Sequence, residues 1–497
     1  MSDAADYIPV IVGIGEIADR PADPAEGLEP LALMAEALSR AAADAGAAML
    51  PAIDSLDIVN QVSWPYADPA GQLAGRIGAS PARAVYGPVG GESPIRYIHE
   101  AALRIQRGES RIAAICGAES TSTLAKAAKA GLTPDWTPKP TQFERPLRGR
   151  DIVHPACARL GVDQPITIYP FYDNAAAHHW GQTPAEALAE SGILWSRYAA
   201  ATAGNPHVWL TGPFTPAEIT TPSPANRLIA YPYTKMMVAN PMVNQGAALL
   251  IASLAAARAA GVPEHRMVHI LGGAAANEPR DYLQRDHYHG SHAQDAVLEA
   301  VGALAGDEGF RALELYSCFP CVPKMARRTL GLGPDVQPTV TGGLTFFGAP
   351  LNNYMTHAAC AMVRRLREGG GQGMLYGQGE FVTKHHALVL GDAPSPLAPD
   401  YSVQALADGR RGPVPAFAEP AGGAATLETF TVIYGREGEV GHGVVILRLE
   451  DGSRALARVP AEDRDGIALL TAQDAFPIGR AGRLVQAADG VAVWQAA

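Results

Sequence analysis

The sequence predicts an α/β fold built from two related halves, with a small β domain appended. Three observations predict it. First, a strand–turn–helix–strand pattern occurs twice. In the first copy it runs through Ile53–Asn60, Gly90-Gly91-Glu92-Ser93-Pro94, Ile95–Gln106 and Arg111–Gly117. In the second it runs through Phe310–Phe319, Gly348-Ala349-Pro350, Tyr354–Arg367 and Gly373–Gly377. From first-strand end to Gly–Pro turn is about thirty residues in both copies, the mark of a duplicated unit. Second, an Ala-rich helical segment precedes each copy, Leu31–Ala47 and His292–Ala305. Third, beyond a Pro-rich stretch at 391–420 the pattern changes to short alternating segments. Two facing helix starts aim N–H groups and positive dipole ends at one point, so the paired turns are the place to look for an oxyanion site.

Strand-like Ile8–Gly13 opens the first half. Gly13-Ile-Gly15 after it superficially matches a dinucleotide fingerprint, but Pro21 and Pro24 exclude the long helix such a site needs. Residues 125–240, rich in Pro, Tyr, Trp and Asn, separate the copies and read as a loop-rich insertion over a substrate site. Within it Pro184–Ala203 reads as a helix. Gly246–Gly261, apolar but carrying Ser253 and Arg258, is too short to span a bilayer and reads as a buried core helix. Met267–Gly273 reads as a strand. The expected domains are 1–260 for the first half with its insertion, 261–391 for the second half, 392–424 as linker and 425–497 as a β-rich domain. In the last, Ala425–Tyr434, Gly441–Glu450 and Ser453–Val459 alternate, with a hairpin turn at Asp451-Gly452. Leu484–Val485 and Val491–Trp494 add further strands, and the domain reads as antiparallel.

The 497 residues are 47% hydrophobic and 18% charged, the composition of an ordered globular protein. A net charge of −11 argues against nucleic acid and anionic membrane as partners. The start, Met-Ser-Asp-Ala-Ala-Asp, has neither a basic nor an apolar signal region, and the five scattered cysteines fit a reducing compartment. A cytoplasmic location is therefore expected.

Several motifs resemble, in order and spacing, those of the thiolase superfamily. They are Leu313-Glu-Leu-Tyr316-Ser317-Cys318-Phe319-Pro320, Gly342-Gly343-Leu-Thr-Phe-Phe-Gly348-Ala349-Pro350, Tyr231-Pro-Tyr-Thr-Lys235, Ala239–Ala248 and Ile168–His179. The resemblance is strongest to the sterol-carrier-protein-type branch and to thiolase-like proteins of type 1, and covers about residues 8–391. The segment after 425 resembles the additional C-terminal domain of the type 1 proteins. The resemblance implies a duplicated, five-layered αβαβα thiolase fold, with two mixed sheets sandwiching central helices at 94–107 and 354–367. It also implies a role in lipid metabolism and a coenzyme A thioester (acyl-CoA) as substrate or ligand, with no permanently bound cofactor. A homodimer is expected from the family, and an accessory protein subunit if the chain is aldolase-like.

The family's catalytic pattern is broken in this chain. The nucleophilic cysteine position falls on Gly91 and the activating histidine on Ala349. The His and Asp of the His-Asp-Cys-Phe motif are Tyr316 and Ser317, and the late cysteine falls near Tyr376. Of these positions, Cys318 alone keeps the branch's residue. Thiolysis needs a thiolate and a base to generate it, so poor thiolysis is expected. Three readings remain. One is aldolase-like carbon–carbon chemistry on a CoA thioester, with Tyr316 as proton shuttle and Cys318 beside it. Another is acyl transfer with Cys318 or Ser93 as substitute nucleophile. The third is a non-catalytic acyl-CoA-binding or scaffold subunit. In each, Gly91, Gly342, Gly343 and Gly348 are the expected contacts to the thioester.

Other residues have plainer explanations beside the functional ones. Ser93 also reads as a helix cap before Pro94. Cys116, Cys157, Cys321 and Cys360 read as packing. His287-Tyr-His289-Gly-Ser-His292 reads as a solvated loop, because no carboxylate completes a ligand pattern, and no metal is expected. His178 and His179 are candidates for lining a substrate tunnel. His385 and His386 border the cofactor cleft or lie on the surface at a strand start. No Gly-x-Ser-x-Gly elbow or Walker loop occurs.

Overall fold

The computed structural model describes residues 4–306 and 309–497. In the first half the main-sheet strands are β1 (Pro9–Ala18), β2 (Ser55–Ile58), β3 (Arg83–Tyr86), β4 (Ile112–Ser120) and β7 (Asn244–Ser253). In the second half they are β8 (Val268–Asn277), β9 (Ala312–Leu315), β10 (Gly373–Gly379) and β11 (Lys384–Gly391). Their spatial order is β3-β2-β4-β7-β1-β8-β11-β10-β9. Read outward from the centre, β1-β7-β4-β2 and β8-β11-β10-β9 are the same arrangement, with one parallel pair at the outer end of each run. The duplication is therefore a property of the topology. The two expected sheets meet where β1 pairs with β8 at Val10↔His269 and Ile11↔Val268, so they form one continuous sheet.

The helices Ser93–Gln106 and Tyr354–Gly369 contact each other and both halves of the sheet, and share one core with Ile115, Leu249, Met374 and Leu388. Outside lie Pro30–Ala45, on β1 and β7, and His292–Ala305, on β8 and β11. These give the five layers. Gly13 and Gly15 lie within β1, where they let the outer helix approach. A Cβ at Gly13 would lie 2.1 Å from the Ala41 carbonyl oxygen, and one at Gly15 1.9 Å from that of Ala37.

Two elements differ from the sequence reading. The apolar run from Gly246 is not a core helix. It forms the strand β7, buried along its whole length, followed by a short helix, Leu254–Ala259. A central strand covered on both faces has no polar alternation, so its pattern cannot be told from that of a buried helix. The insertion carries a second long helix, Pro165–His179, that runs through Pro170. Eleven of its residues are buried, so it lacks the polar stripe that marks a surface helix.

The C-terminal strands are β12 (Gly422–Tyr434), β13 (Val440–Leu449), β14 (Arg454–Pro460), β15 (Ala481–Gln486) and β16 (Ala492–Ala496). β12 pairs with both β13 and β15, and the ring β12-β13-β14-β16-β15 closes on itself as a barrel. The β14–β16 pairing is parallel and the rest antiparallel, with helix Arg464–Leu470 between β14 and β15. Leu427, Phe430, Val445, Leu447 and Trp494 fill it. Two short insertion strands, β5 (Leu228–Ala230) and β6 (Tyr233–Thr234), extend the sheet from β12. Arg454 is buried and donates to the carbonyls of Leu283 (2.7 Å) and Arg285 (2.6 Å), which ties the barrel to the second half. Among the described residues no helix is long and apolar enough to cross a membrane.

Candidate functional site

The starts of the two central helices touch. Asn352, two residues ahead of the second helix, accepts from the Gly90 amide at 3.0 Å and donates to the Asn60 carbonyl at 2.9 Å. Asn353 donates to the Gly117 carbonyl at 2.6 Å, so the second helix start is fixed to the end of β4 as well. The paired dipole ends lie at the centre of the duplicated scaffold.

Tyr316, just past β9, lies directly against the first of these turns. A Cβ at Gly91 would lie 2.4 Å from the Tyr316 hydroxyl and 2.5 Å from the Gln378 carbonyl oxygen. The phenol thus fills the space beside position 91. Its ring is 6% exposed, and burial holds its pKa well above the ordinary value, helped by the neighbouring Cys318 and Glu92. The hydroxyls of Tyr169, Tyr198, Tyr354 and Tyr376 all have hydrogen-bond partners. That of Tyr316 has none among the described residues.

Cys318 lies two residues on and is 8% exposed. Gln378 donates to its sulfur at 3.5 Å and also to the Tyr169 hydroxyl. Burial pushes the thiol up to about 12, against the pull of hydrogen bonds from Tyr169 and Gln378. It therefore stays protonated at neutral pH. Ser93 is fully buried, and its hydroxyl donates to the Gly90 carbonyl at 2.7 Å, closing its own turn. Tyr376 bonds His385 at 2.8 Å and accepts from Gln294 at 2.9 Å. His385 is held down at about 4 by burial, and both His385 and His386 lie in the core and not on the surface.

The structure brings Gly91, Ser93, Tyr316 and Cys318 into one region, but it leaves little free space at the glycine turns. A Cβ at Gly342 would meet Thr202 at 2.5 Å, one at Gly343 would meet Tyr198 at 2.5 Å, and one at Gly348 would meet Gln245 at 2.6 Å. Close packing by itself calls for glycine at these positions. A cleft of about 750 Å³ opens elsewhere, beside the far end of the second central helix, lined by Arg364, Arg365, Arg311, His207 and Asn205. His178 and His179 are exposed; one touches Phe476 and the other stacks on His289, so they do not line the site.

The sequence reading missed Glu92. It heads the first central helix, is 7% exposed, and its Oε2 is buried without a partner. Burial raises its pKa, opposed by Lys384 and Arg96. Its signal was present, an acidic residue inside the very turn singled out. Asn352 and Gln378 were missed as well, and only tertiary contacts reveal them.

These features define a thiolase-fold protein. The family model described as the thiolase-like protein type 1 additional C-terminal domain matches residues 407–489. The crystal structure of a monomeric SCP2-thiolase-like protein type 1 from Mycobacterium smegmatis matches with 30% identity and a TM-score of 0.84, covering 100% of both chains. The chain belongs to this SCP2-thiolase-like protein type 1 family. Human mitochondrial 3-ketoacyl-CoA thiolase in complex with CoA shares the fold at 13% identity and a TM-score of 0.57, over 78% of this chain and 98% of that one. The Ltp2-ChsH2(DUF35) aldolase does so at 17% identity and a TM-score of 0.56, over 78% of this chain and 98% of that one. No curated protein matches.

Proposed function

We propose that the chain acts on a CoA thioester by aldolase-like carbon–carbon chemistry without an acyl-enzyme, with Tyr316 as proton shuttle. The observation that carries the reading is the unpartnered phenol of Tyr316 beside Gly91, at the paired helix starts. In the cleavage direction a base removes the proton of a β-hydroxyl. The Cα–Cβ bond then breaks, a carbonyl product leaves, and the electron pair passes into a thioester enolate that is protonated at Cα. Such a route needs a proton carrier and an oxyanion donor, not a nucleophile. Glu92 supplies the base, and the Tyr316 phenol, which stays protonated, passes the proton to Cα. The Gly91 amide, which donates to no backbone carbonyl among the described residues, supplies the donor. The fold shared with a thiolase–CoA complex and with an aldolase supports the substrate class and the reaction class.

Acyl transfer has less support, because the Cys318 thiol stays protonated and the Ser93 hydroxyl is engaged in its own turn. A non-catalytic scaffold role is favoured by one observation, the close packing at Gly342, Gly343 and Gly348, whereas the acyl-CoA-binding reading draws nothing from it. The decisive experiment incubates the full chain with β-hydroxyacyl-CoA esters and follows shortened acyl-CoA by mass spectrometry. Turnover that falls about 10²-fold or more in Tyr316→Phe, but only slightly in Cys318→Ala, is expected. Turnover untouched by Tyr316→Phe overturns the reading, and saturable binding without turnover in any variant leaves the scaffold role. A homodimer, expected from the fold, would form through the free edge of β3, whereas the mycobacterial relative is described as monomeric. Sedimentation, with and without a candidate accessory subunit, measures both associations.

A further inference from the structure

The loop from Arg285 to His292 has no part in the chemistry above. The fold supplies there the carboxylate that the histidine tract lacked on paper. Asp286 Oδ2 lies 2.8 Å from His292 Nε2 and 3.9 Å from His287 Nε2. One ligand atom from each of Asp286, His287 and His292 lies within 4.8 Å of the other two. We infer that Asp286, His287 and His292 form a binding site for a first-row divalent metal ion of the zinc type, with water completing the coordination.

The dimensions suit such an ion. Bonds of about 2.0–2.1 Å from zinc to imidazole nitrogen or carboxylate oxygen put neighbouring ligand atoms about 3.0–3.4 Å apart. The two separations at Asp286 bracket that range, so small side-chain rotations close the set. The carboxylate is already oriented from outside: Oδ1 accepts from the His287 amide at 3.0 Å and Oδ2 from the Gly412 amide at 2.8 Å. Outer contacts of this kind fix a ligand's direction and sustain affinity. His292 is the first residue of a fourteen-residue helix whose start is capped by Ser291, so its backbone is held too.

His287 carries the strongest pointer to a ligand. Its Nδ1 is buried with no hydrogen-bond partner, and its Nε2 is too far from Asp286 for a hydrogen bond. No hydrogen bond among the described residues engages either nitrogen, so Nε2, 3.9 Å from Asp286 Oδ2, is free to take an ion. His289 stacks on His287 at 3.8 Å and 12°, and His179 stacks on His289 at 3.9 Å and 15°. A ring stacked face to face aims its nitrogens in a parallel plane and not at the same centre. His289 and His179 therefore form a wall of the site and are not among its ligands. The two-nitrogen, one-oxygen set suits zinc, cobalt, nickel or copper and not calcium or magnesium. The site joins three parts of the chain: the loop before His292–Ala305, the segment at Gly412, and the insertion through His179. A bound ion would clasp them.

The test uses full-length, untagged protein stripped with chelator and titrated with Zn²⁺ by calorimetry. Co²⁺ absorption serves as an independent readout of nitrogen–oxygen coordination. One ion per chain is expected, with a rise in Tm that grows with free metal. His287→Ala and His292→Ala are expected to weaken binding at least tenfold, while His289→Ala, which alters only the wall, stays within about threefold of wild type. The metal-free Tm of each variant, compared with wild type, shows that a loss of affinity is not a loss of fold. No stoichiometric binding to wild type up to about 1 mM metal overturns the inference, as does wild-type affinity in both His287→Ala and His292→Ala.

Discussion

Placing a methyl group on Gly91 tests whether Tyr316 occupies the space beside position 91. In Gly91→Ala the new carbon would lie 2.4 Å from the Tyr316 hydroxyl and 2.5 Å from the Gln378 carbonyl oxygen. Ordinary contact between such atoms is about 3.5 Å, so each neighbour has to retreat by roughly 1 Å. Overpacking on this scale in a filled core costs about 1–3 kcal/mol. Two neighbours share that strain, and only one is a side chain. Tyr316→Phe removes a hydroxyl that forms no hydrogen bond among the described residues, so alone it should move stability by no more than about 0.5 kcal/mol. The double variant should recover part of the Gly91→Ala loss, with a coupling energy of about 0.5–2 kcal/mol. The Gln378 carbonyl, being backbone, keeps the remainder. The assay is urea unfolding of the four proteins, read as midpoints at constant slope. If Gly91→Ala matches wild type, or the two changes simply add, the tyrosine does not fill that space, and the proposed chemistry loses its geometric basis.

Three further outcomes follow from the same structure. Cys318, pushed up to about 12, is about one part in ten thousand thiolate at pH 8, so native iodoacetamide labelling followed by mass spectrometry should leave it almost unmodified until the chain is unfolded. Glu16 is raised by burial, but the hydrogen bond from His357 and the charges of His357 and Arg364 outweigh this and hold it at about 2. Between pH 4.5 and 2 the unfolded chain binds the extra proton, so stability is complete above that window and falls by up to about 3 kcal/mol as pH drops through it, a loss absent from Glu16→Gln in acid titrations followed by circular dichroism. Lys324 and Asp173 form a buried ion pair at 2.6 Å, and Asp173 also accepts from the Tyr233 hydroxyl at 2.7 Å. Lys324→Met strands that carboxylate and should cost about 3–5 kcal/mol in denaturant midpoints, a change that Asp173→Asn combined with it should partly relieve.

The architecture was legible where local pattern and global fold agree. Both central helices, their glycine turns and the strands before and after them stand where the duplicated motif puts them, because turn chemistry and apolar period point the same way. Gly246–Ser253 was misread because burial on both faces erases the period that separates strand from helix. Pro165–His179 was missed for a related reason: a helix buried on nearly every side shows no polar stripe. The sequence marks 91 and 349 as departures from the family pattern, but it does not show what surrounds them. No spacing rule brings Tyr316 to Gly91 or Gln378 to Cys318, since those contacts depend on how β9 and β10 lie beside the first central helix. Asp286 precedes His287 in the sequence, yet its place as partner to His292 depends on the turn between them.

The departures from the thiolase pattern are coupled in volume, and this decides what reversing one of them can do. The sequence resemblance sets Gly91 at the cysteine position and Tyr316 at a histidine position, and the Tyr316 hydroxyl lies where a side chain at 91 would go. At the second turn Ala349 is small, while Gln245 packs against neighbouring Gly348 and donates to the Phe347 carbonyl at 2.9 Å. Side chains and backbone thus pack closely beside Gly91 and Gly348. Gly91→Cys should therefore fail to gain thiolysis, because its sulfur would press on the phenol and no imidazole stands at 349 to take the proton. Free-thiol release and acyl-enzyme trapping with acetoacetyl-CoA measure this directly. The variant is expected to be less stable than wild type and no more active, whereas a covalent acetyl adduct at position 91 at neutral pH would show that Tyr316 yields the space readily and that the degenerate site needs only its sulfur.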